Sequence, residues 1–396
     1  MKRLLIGTAV CGMTFAAVIA SVTTFSGGGT RKPAATAPAV QQPMSANEKG
    51  MKRITEARAA LAEALENLRL AQEQGRDVEA IRTLRARATQ RRNALRKAYE
   101  ASVGDFLYDS ERNVADGCYN LGMCYLYGNG VLRDEQKAMK LFERAVETDH
   151  DHAAALNQLG ECLRDGIGCA KDVEESVRRF ARSAELGDAN GELNYGLALI
   201  AQGTAEKDGD VAAVTNGMAH LKRAAVKRLP EAMNRYAQCL MDGTGFVPRV
   251  ANPLLDESEQ AIAELNAAEV SRREHEAVAW WYHCATDFQY PAAMVSLANS
   301  FRDGKGVEPR PRAAVYWYYR AAMDYDDVAA MWEMARCCDE GVGGLDYYGG
   351  ASQRHYNANW WRTRAKATEG DRLAKIWLAG HDPHLFDRLN LLPAKD

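Results

Sequence analysis

The sequence predicts an all-α protein, a superhelical α/α solenoid of about six helix pairs preceded by an antiparallel helical hairpin. Apolar residues recur at steps of three and four, as they do on one face of an α-helix. Gly-x-Gly turns such as Gly128-Asn129-Gly130 separate the helices, and the same unit returns along the chain from Val114 to Ala374. Because one helix pair cannot bury its own apolar face, the copies are expected to stack.

Each copy carries a small residue in its first helix, which serves here as the anchor of the repeat. The anchors lie 36 to 41 residues apart, except for one step of 61 that marks an insert in the fourth copy. Bulky residues in the second helices, such as Phe142, Phe180, Trp281 and Tyr318, are predicted to fill the space between neighbouring helices. The anchors are Gly122, Gly160, Gly196, Ala237, Ala298 and Ala335.

Glycine turns and acidic caps mark the helix ends. Gly128 and Gly130 are predicted to adopt the positive φ that a tight turn needs and that a Cβ atom penalises. Asp134 and Asp172 are placed to cap second helices. Glu175, three residues after Asp172, completes the pattern of a capping box.

Each copy thus combines a small-residue first helix, a glycine turn, and a second helix in which a bulky residue precedes a basic residue and Ala. This combination resembles the Sel-one-like repeat (SLR) family, a relative of the tetratricopeptide solenoids, over about two thirds of the chain. The resemblance implies a right-handed superhelix of SLR repeats that acts as an adaptor. The third copy, which has no Gly-x-Gly over 201–205, and the sixth, with Gly341-Val342-Gly343-Gly344, depart from the pattern.

The first 25 residues are predicted to be a signal peptide or an uncleaved signal anchor. Lys2 and Arg3 precede an uncharged apolar stretch from Leu4 to Phe25, which is just long enough to cross a bilayer. Both cations favour the cytoplasmic side, which places the repeats outside the inner membrane. Small residues before Ser21 offer a cleavage site, so cleavage stays open.

A flexible linker over 26–45 leads to the predicted helical hairpin over 46–103. Its apolar positions alternate steps of three and four, and Arg91 interrupts them once. The second helix is rich in arginine, and two interpretations stay open. It is a basic strip that contacts anionic lipid or an acidic partner, or a solvated helix face partly neutralised by the first helix and its acids. The basic residues are Arg76, Arg82, Arg85, Arg87, Arg91, Arg92, Arg96 and Lys97.

Eight cysteines follow the N-terminal segment, and an even number in an exported protein suggests disulfides. Their places in the repeat argue against this. Cys124, Cys162, Cys239 and Cys337 share the column two residues after the anchor, where the other copies have Ala or Ser. The remaining four also occupy small or apolar columns, in which a free thiol packs as a compact hydrophobe. We therefore predict packed thiols.

No motif for catalysis, cofactor binding or metal binding occurs in the sequence. The glycine turns lack the Lys-Ser/Thr of a phosphate-binding loop, and neither Ser-x-x-Lys nor Gly-x-Ser-x-Gly is present. His150 with His152, and His381 with His384, lack the spacing of a metal site and are predicted to be solvated. A net charge of −3 gives no general attraction to nucleic acid. We therefore predict no catalytic residue, no cofactor and no nucleic-acid partner.

Two departures from the repeat are candidate contact surfaces for a partner. One is the insert of the fourth copy, from Val247 to about Glu274, in which a helix is predicted to start near Glu259. The other is the aromatic segment of the sixth copy, where Trp361 occupies the bulky core column. The tyrosines around it are available for contact. They are Tyr347, Tyr348 and Tyr356.

A third candidate is the column two residues before each anchor, called the polar column below. In solenoids that the repeat resembles, the first helices line the concave face. Side chains with amide, hydroxyl and charged ends suit hydrogen bonding to an extended peptide. Simple solvation of these side chains is the alternative. The polar column contains Asn120, Gln158, Asn194, Arg235, Ser296 and Glu333.

The predicted order along the chain is signal segment 1–25, linker 26–45, hairpin 46–103, solenoid 104–374 and C-terminal cap and tail 375–396. We predict an exported scaffold of the bacterial cell envelope, periplasmic or anchored in the inner membrane, which binds another protein or peptide segment. The alternative is an envelope enzyme or cell-wall ligand binder of the penicillin-binding or lactam-hydrolysing SLR type.

Overall fold

The computed structural model describes residues 44–73, 78–205, 210–248, 250, 258–343, 350–371, 374 and 378. Within these residues the chain consists of fourteen α-helices and has no strand, which confirms the all-α prediction. None of these helices has the length and hydropathy needed to span a bilayer. Several predicted segments lie outside the described residues. They are the signal segment, most of the linker, Tyr347, Tyr348 and the C-terminal cap and tail apart from residue 378.

Each helix packs against the next one along the chain, so the helix pairs stack as predicted. α1 and α2 form the predicted hairpin, and six further pairs from α3 to α14 form the solenoid. The helices are α1 Ala46–Glu73, α2 Val78–Glu111, α3 Ala115–Tyr127, α4 Glu135–Thr148, α5 Ala153–Asp165, α6 Val173–Glu185, α7 Ala189–Ala205, α8 Val211–Val226, α9 Pro230–Met241, α10 Glu259–Asp287, α11 Pro291–Asp303, α12 Pro311–Tyr325, α13 Val328–Glu340 and α14 Gly350–Thr368.

The anchor and the bulky residue of a pair meet where its two helices cross. A Cβ atom added to Gly122 would lie 2.7 Å from the Phe142 ring, and one added to Gly160 would lie 2.6 Å from the Phe180 ring. Both rings are buried. Because no side chain fits between the helix and the ring, glycine at the anchor permits the close approach of the two helices.

The third pair also brings its two helices close together, but with a smaller side chain in the bulky column. Its bulky column holds Leu221, and the backbones of α7 and α8 approach each other directly. A Cβ atom added to Gly196 would lie 2.8 Å from the Gly217 carbonyl oxygen. The third copy departs from the repeat pattern over 201–205 because these residues belong to α7, which spans 17 residues where α3 and α5 span 13.

The predicted turn and cap of the first repeat are confirmed. Gly128 and Gly130 have φ values of 68° and 77°, the left-handed region that a Cβ atom disfavours. An Asp134 carboxylate oxygen accepts a hydrogen bond from the backbone N–H of Lys137 at 3.0 Å, as an N-cap does. The interaction holds the pKa of Asp134 below its usual value, because the backbone N–H of Lys137 stabilises the charged form.

In the second repeat the cap is confirmed, but the capping box is wrong. Asp172 accepts a hydrogen bond from the backbone N–H of Glu175 at 2.9 Å. The Glu175 side chain does not return the contact; it pairs with Arg178 at 2.6 Å. The backbone N–H of Asp172 donates instead to the Leu163 carbonyl at 2.9 Å. The Glu175 carboxylate and the Asp172 backbone N–H would form the second hydrogen bond of a capping box, but both already have other partners.

The second glycine of each Gly-x-Gly turn lies against the preceding helix pair. A Cβ atom added to Gly168 would lie 2.3 Å from the Glu135 carbonyl oxygen in α4, and one added to Gly306 would lie 2.4 Å from that of Glu274 in α10. Because the neighbour is backbone in both places, it cannot rotate away as a side chain would. This glycine therefore sets the distance between successive pairs.

The hairpin is built on the same plan as the repeats, which the sequence did not reveal. Gly50 in α1 faces the Phe106 ring in α2, and an added Cβ atom would lie 2.7 Å from it. Phe106 is 1% exposed. Gly130 of the next turn packs on the backbone of α2 at Tyr99 and Glu100, as Gly168 packs on α4. The base of the hairpin is therefore a further repeat-like pair.

An insertion conceals this pair in the sequence. Gly50 and Phe106 are 56 residues apart, whereas Gly122 and Phe142 are 20 apart, so the hairpin carries 36 additional residues beyond its base. α2 also continues to Glu111, so the boundary placed between the hairpin and the solenoid after residue 103 falls inside a helix.

The insert of the fourth copy likewise lengthens a helix. Ser258 caps α10 by accepting a hydrogen bond from the backbone N–H of Ala261 at 3.1 Å, which confirms the predicted helix start. The helix then runs without a break for 29 residues and includes the bulky core residue Trp281. The described part of the insert is therefore continuous with the second helix of its repeat.

We expect Phe106→Ala to destabilise the protein by about 3–5 kcal/mol, because it removes a buried ring from the core that includes Ile54 and Leu121. Leu107→Ala is the matched control. Leu107 is 45% exposed, and its truncation should cost about 0.5 kcal/mol. Urea unfolding followed by circular dichroism measures both. Equal shifts for the two variants would contradict a repeat-like core in the hairpin.

Candidate partner-binding surface

Part of the polar column forms hydrogen bonds between neighbouring repeats. The Asn120 amide nitrogen donates to the side-chain oxygen of Asn47 at 2.8 Å. The Asn194 amide nitrogen donates to that of Asn157 at 2.9 Å. Asn47 and Asn157 each lie three residues before their anchors, so the structure repeats one contact at two junctions.

Arginines four residues after the anchor make a second inter-repeat contact. Arg164 Nη1 donates to Asn194 Oδ1 at 3.0 Å, and Arg302 Nη1 donates to Glu333 Oε2 at 3.0 Å. Each arginine also binds the aspartate that follows it through two hydrogen bonds. The guanidinium groups lower the pKa of both aspartates. The polar column thus supports the stacking of the repeats.

Glu161 lies at the centre of this network in the second repeat. Its Oε1 accepts hydrogen bonds from Asn157 at 3.1 Å and Asn194 at 3.0 Å, and its Oε2 accepts one from Gln158 at 2.8 Å. All three donors are neutral amides. Among the described residues no cation forms an ion pair with Glu161, because the neighbouring Arg164 is paired with its own aspartate.

A cavity of about 260 Å³ opens beside Glu161, between the first two repeats. It is lined by the Glu161 carboxylate, Gln158, the exposed Tyr127, Leu126, Ile167, Arg133, Cys162 and Asp165. Burial and the charge of Glu161 both raise the pKa of the Tyr127 hydroxyl. Arg133 pairs with Glu135 and Asp165 pairs with Arg164, so Glu161 is the charged group of the lining for which the described residues show no ion pair. We call this space the junction cavity.

The remaining members of the polar column are placed differently. Arg235 is exposed, and Ser296 is partly buried. Glu333 accepts hydrogen bonds from Arg336 as well as from the preceding repeat. Contact of the column with a partner stays a prediction. Four of its six side chains already have hydrogen-bond partners within the chain. Those four are Asn120, Gln158, Asn194 and Glu333.

The aromatic segment of the sixth copy is mostly core where the structure describes it. Trp360 and Trp361 are 3% and 0% exposed and pack edge to face, with ring centroids 4.9 Å apart. This confirms Trp361 as the bulky residue of its column. Tyr356 is partly buried in α14. The predicted contact role of the tyrosines therefore concerns Tyr356 among the described residues.

His152 is not the solvated residue that its loop position predicts. Its Nδ1 accepts a hydrogen bond from the backbone N–H of Ala155 at 3.1 Å and caps α5. Its Nε2 lies 3.1 Å from an Asp116 carboxylate oxygen. His150 is exposed, as predicted. His381 and His384 fall outside the described residues, and no group of three metal-ligating side chains is present in the described part.

All eight cysteines after the N-terminal segment are free in the structure, as predicted. Six are buried, and Cys169 and Cys239 are only partly buried, a difference from the predicted core packing. Burial raises the pKa of the Cys162 thiol to about 12 and that of Cys337 to about 11. At neutral pH these thiols are therefore protonated and poorly reactive.

The sequence did not single out Glu161, Tyr127 or the inter-repeat arginines. A signal for the arginines exists, since an Arg-Asp-Gly triplet begins four residues after the anchor at Arg164 and at Arg302. Glu161 has no such signal, because the same column holds Met, Leu, Gln, Asn and Arg in the other copies. Its role depends on the register between two neighbouring repeats.

A family model described as "Sel1 repeat" matches the chain at residues 115–150, 153–188, 230–254 and 291–326. These segments correspond to the first, second, fourth and fifth copies. A solved Sel1 repeat protein from Oxalobacter formigenes has a similar fold, with a TM-score of 0.51 at 18% sequence identity. The similarity covers 68% of this chain and 92% of that protein.

Two further solved structures are similar to the chain at lower TM-scores. One is c5321, a protective antigen with an SLR fold from uropathogenic Escherichia coli, at 16% identity and a TM-score of 0.38 over 89% of this chain and 84% of that one. The other is the immunity protein Pa5087 from Pseudomonas aeruginosa, at 16% identity and 0.39 over 65% and 83%. No curated protein matches the chain.

We expect the thiols to react in two classes. In the native chain from Met44, Ellman's reagent should modify Cys169 and Cys239 first, because the other six thiols are buried. In urea without a reductant, all eight should react. Finding fewer than eight thiols in urea would contradict the absence of disulfides, and equal native rates would contradict the burial pattern.

Proposed function

The chain belongs to the Sel1-repeat family, and we propose that it is an exported scaffold of the bacterial cell envelope that binds another protein. Sel1 repeats indicate a protein–protein interaction scaffold, and four of them match the chain between residues 115 and 326. The apolar segment after Lys2 and Arg3 supports export. To the scaffold role we add a location at the cell envelope and a partner-binding site. Nothing in the described residues favours the enzyme alternative.

The proposed binding site rests on one observation: the Glu161 carboxylate in the junction cavity forms no ion pair with a cation of the described residues. Three neutral amides hold it in place, but a carboxylate in partly buried surroundings is stabilised most by a cation. The volume of about 260 Å³ suits one long side chain. We therefore assign the cavity to a Lys or Arg of the partner, which would pair with Glu161.

The walls of the junction cavity fit the same occupant. Leu126 and Ile167 offer apolar surface to the aliphatic part of a Lys or Arg side chain. The exposed ring of Tyr127 stands at the rim, where a guanidinium group can stack on it. In this proposal Gln158 and Asn194 orient the carboxylate, and Glu161 makes the direct contact.

We expect Glu161→Gln to weaken partner binding by about 10- to 100-fold, the range for a hydrogen bond to a charged group. A photoreactive amino acid in place of Tyr127 can report this in cells, because it lies at the rim of the cavity. The matched control is Glu147→Gln, which removes an exposed charge from α4. Equal crosslinking yields for the two variants would exclude Glu161 from the binding site, provided that circular dichroism shows both folded.

Export has a separate test. Alkaline phosphatase fused after Asp396 should be active in cells, because this enzyme folds only after its disulfides form outside the cytoplasm. Deletion of residues 4–25 should abolish the activity. Mapping of the N-terminal peptide then separates the two alternatives: a chain that starts at Ser21 was cleaved, and one that retains Lys2 is anchored. Activity that survives the deletion would contradict export by this segment.

A further inference from the structure

The middle of α2 is exposed around almost its whole circumference. Of the ten residues from Arg85 to Ala94, only Ala88 is buried. This part of the hairpin lies beyond the base formed by Gly50 and Phe106, within the 36 additional residues. α2 therefore contacts α1 along one narrow line here, and the rest of its surface faces solvent.

The basic residues of this section follow helical spacing. Arg85, Arg92 and Arg96 are seven and four residues apart, so they project from one side of the helix. Arg87 and Arg91 are four apart and project from the other flank. Two rows of guanidinium groups therefore run along the exposed length of the helix.

Two acids of α1 pair with cations of α1 itself. Glu56 lies 4.0 Å from Lys52, and Glu66 binds Arg69 at 2.6 Å, so both acids pair within α1. Nearer the base of the hairpin, Asp105 of α2 pairs with Arg53 of α1. Neither Glu56 nor Glu66 therefore forms an ion pair with an arginine of α2.

Four arginines of α2 have no acidic partner in the described part of the chain. Arg82 lies 3.8 Å from Glu79, and Arg96 lies 3.0 Å from Glu100, and both acids belong to α2 itself. The residues between the basic rows are short or polar, such as Ala86 and Thr89. The surface thus offers positive charge and has no large exposed apolar side chain between Arg85 and Ala94. The four unpaired arginines are Arg85, Arg87, Arg91 and Arg92.

We propose that this exposed section of α2 binds the headgroups of an anionic phospholipid bilayer. A flat anionic surface requires only closely spaced cations, whereas a folded protein partner would call for an apolar centre to the contact. Binding of this kind is electrostatic, so it weakens as salt screens the charges. The proposal concerns the hairpin alone and does not depend on the junction cavity or its partner.

The chain that precedes the hairpin supports a bilayer as the occupant. The apolar stretch from Leu4 to Phe25 is predicted to enter a membrane, and the linker over 26–45 ends where α1 begins. Twenty residues span up to about 65 Å when extended. α1 has 28 residues and is about 42 Å long. The linker is therefore long enough for α2 to lie against the same membrane.

The test is flotation of the chain from Met44 with phosphatidylcholine vesicles, with and without phosphatidylglycerol. This chain is the compact unit Met44–Asp396, distinct from the apolar N-terminal segment. Binding should require phosphatidylglycerol and should decline as salt rises. Replacing the four unpaired arginines by glutamine should lower the affinity by about 100-fold or more, since each contributes about a factor of five. The four substitutions are Arg85→Gln, Arg87→Gln, Arg91→Gln and Arg92→Gln.

A matched variant keeps the net charge equal. It removes four exposed cations of the solenoid for which the structure shows no ion pair, and it should bind vesicles like the unaltered protein. An equal loss in both variants would show a general charge effect and overturn the proposal. Absence of binding to phosphatidylglycerol vesicles would also overturn it and leave an acidic protein as the occupant. The control substitutions are Lys140→Gln, Lys171→Gln, Lys305→Gln and Arg312→Gln.

Discussion

The close approach of helices at glycine is the constraint on which the rest of this structure depends. Within a pair, Gly122 and Gly160 admit a ring that a Cβ atom would displace. Between pairs, Gly168 and Gly306 touch the backbone of the preceding helix, which cannot yield. Because these contacts fix the distance between successive pairs, they also fix where the polar side chains of one repeat meet those of the next.

The fixed distance between successive pairs allows side chains of the polar column to form hydrogen bonds from one repeat to the next. Asn194 receives a hydrogen bond from Arg164 and donates to Asn157, so one side chain connects two repeats through two contacts. The same connection holds Glu161 beside the junction cavity, where no cation of the described residues forms an ion pair with it. The column that the sequence predicts to contact a partner thus has a supporting role between the repeats, and we propose the neighbouring Glu161 as the contact residue.

Insertions in this chain lengthen helices and leave the crossing points intact. The hairpin keeps the contact of Gly50 with Phe106 despite 36 additional residues, and α10 keeps the buried Trp281 despite the insert before it. A helix can be extended outward at little cost because the packing of its base does not change. The extended part is then free to carry a different property, which in α2 is a dense positive charge.

The sequence by itself determined the helix pairs, their anchors, the bulky column and the placement of the cysteines, because these follow from apolar spacing and glycine turns along one chain. It predicted part of the candidate site, Gln158 and Asn194, but missed Glu161 and the repeat-like base of the hairpin. The first depends on the register between two repeats, and the second on a contact between residues 56 positions apart. Only the tertiary structure decides such contacts, since the physical distance between side chains is set by packing and not by their separation in sequence.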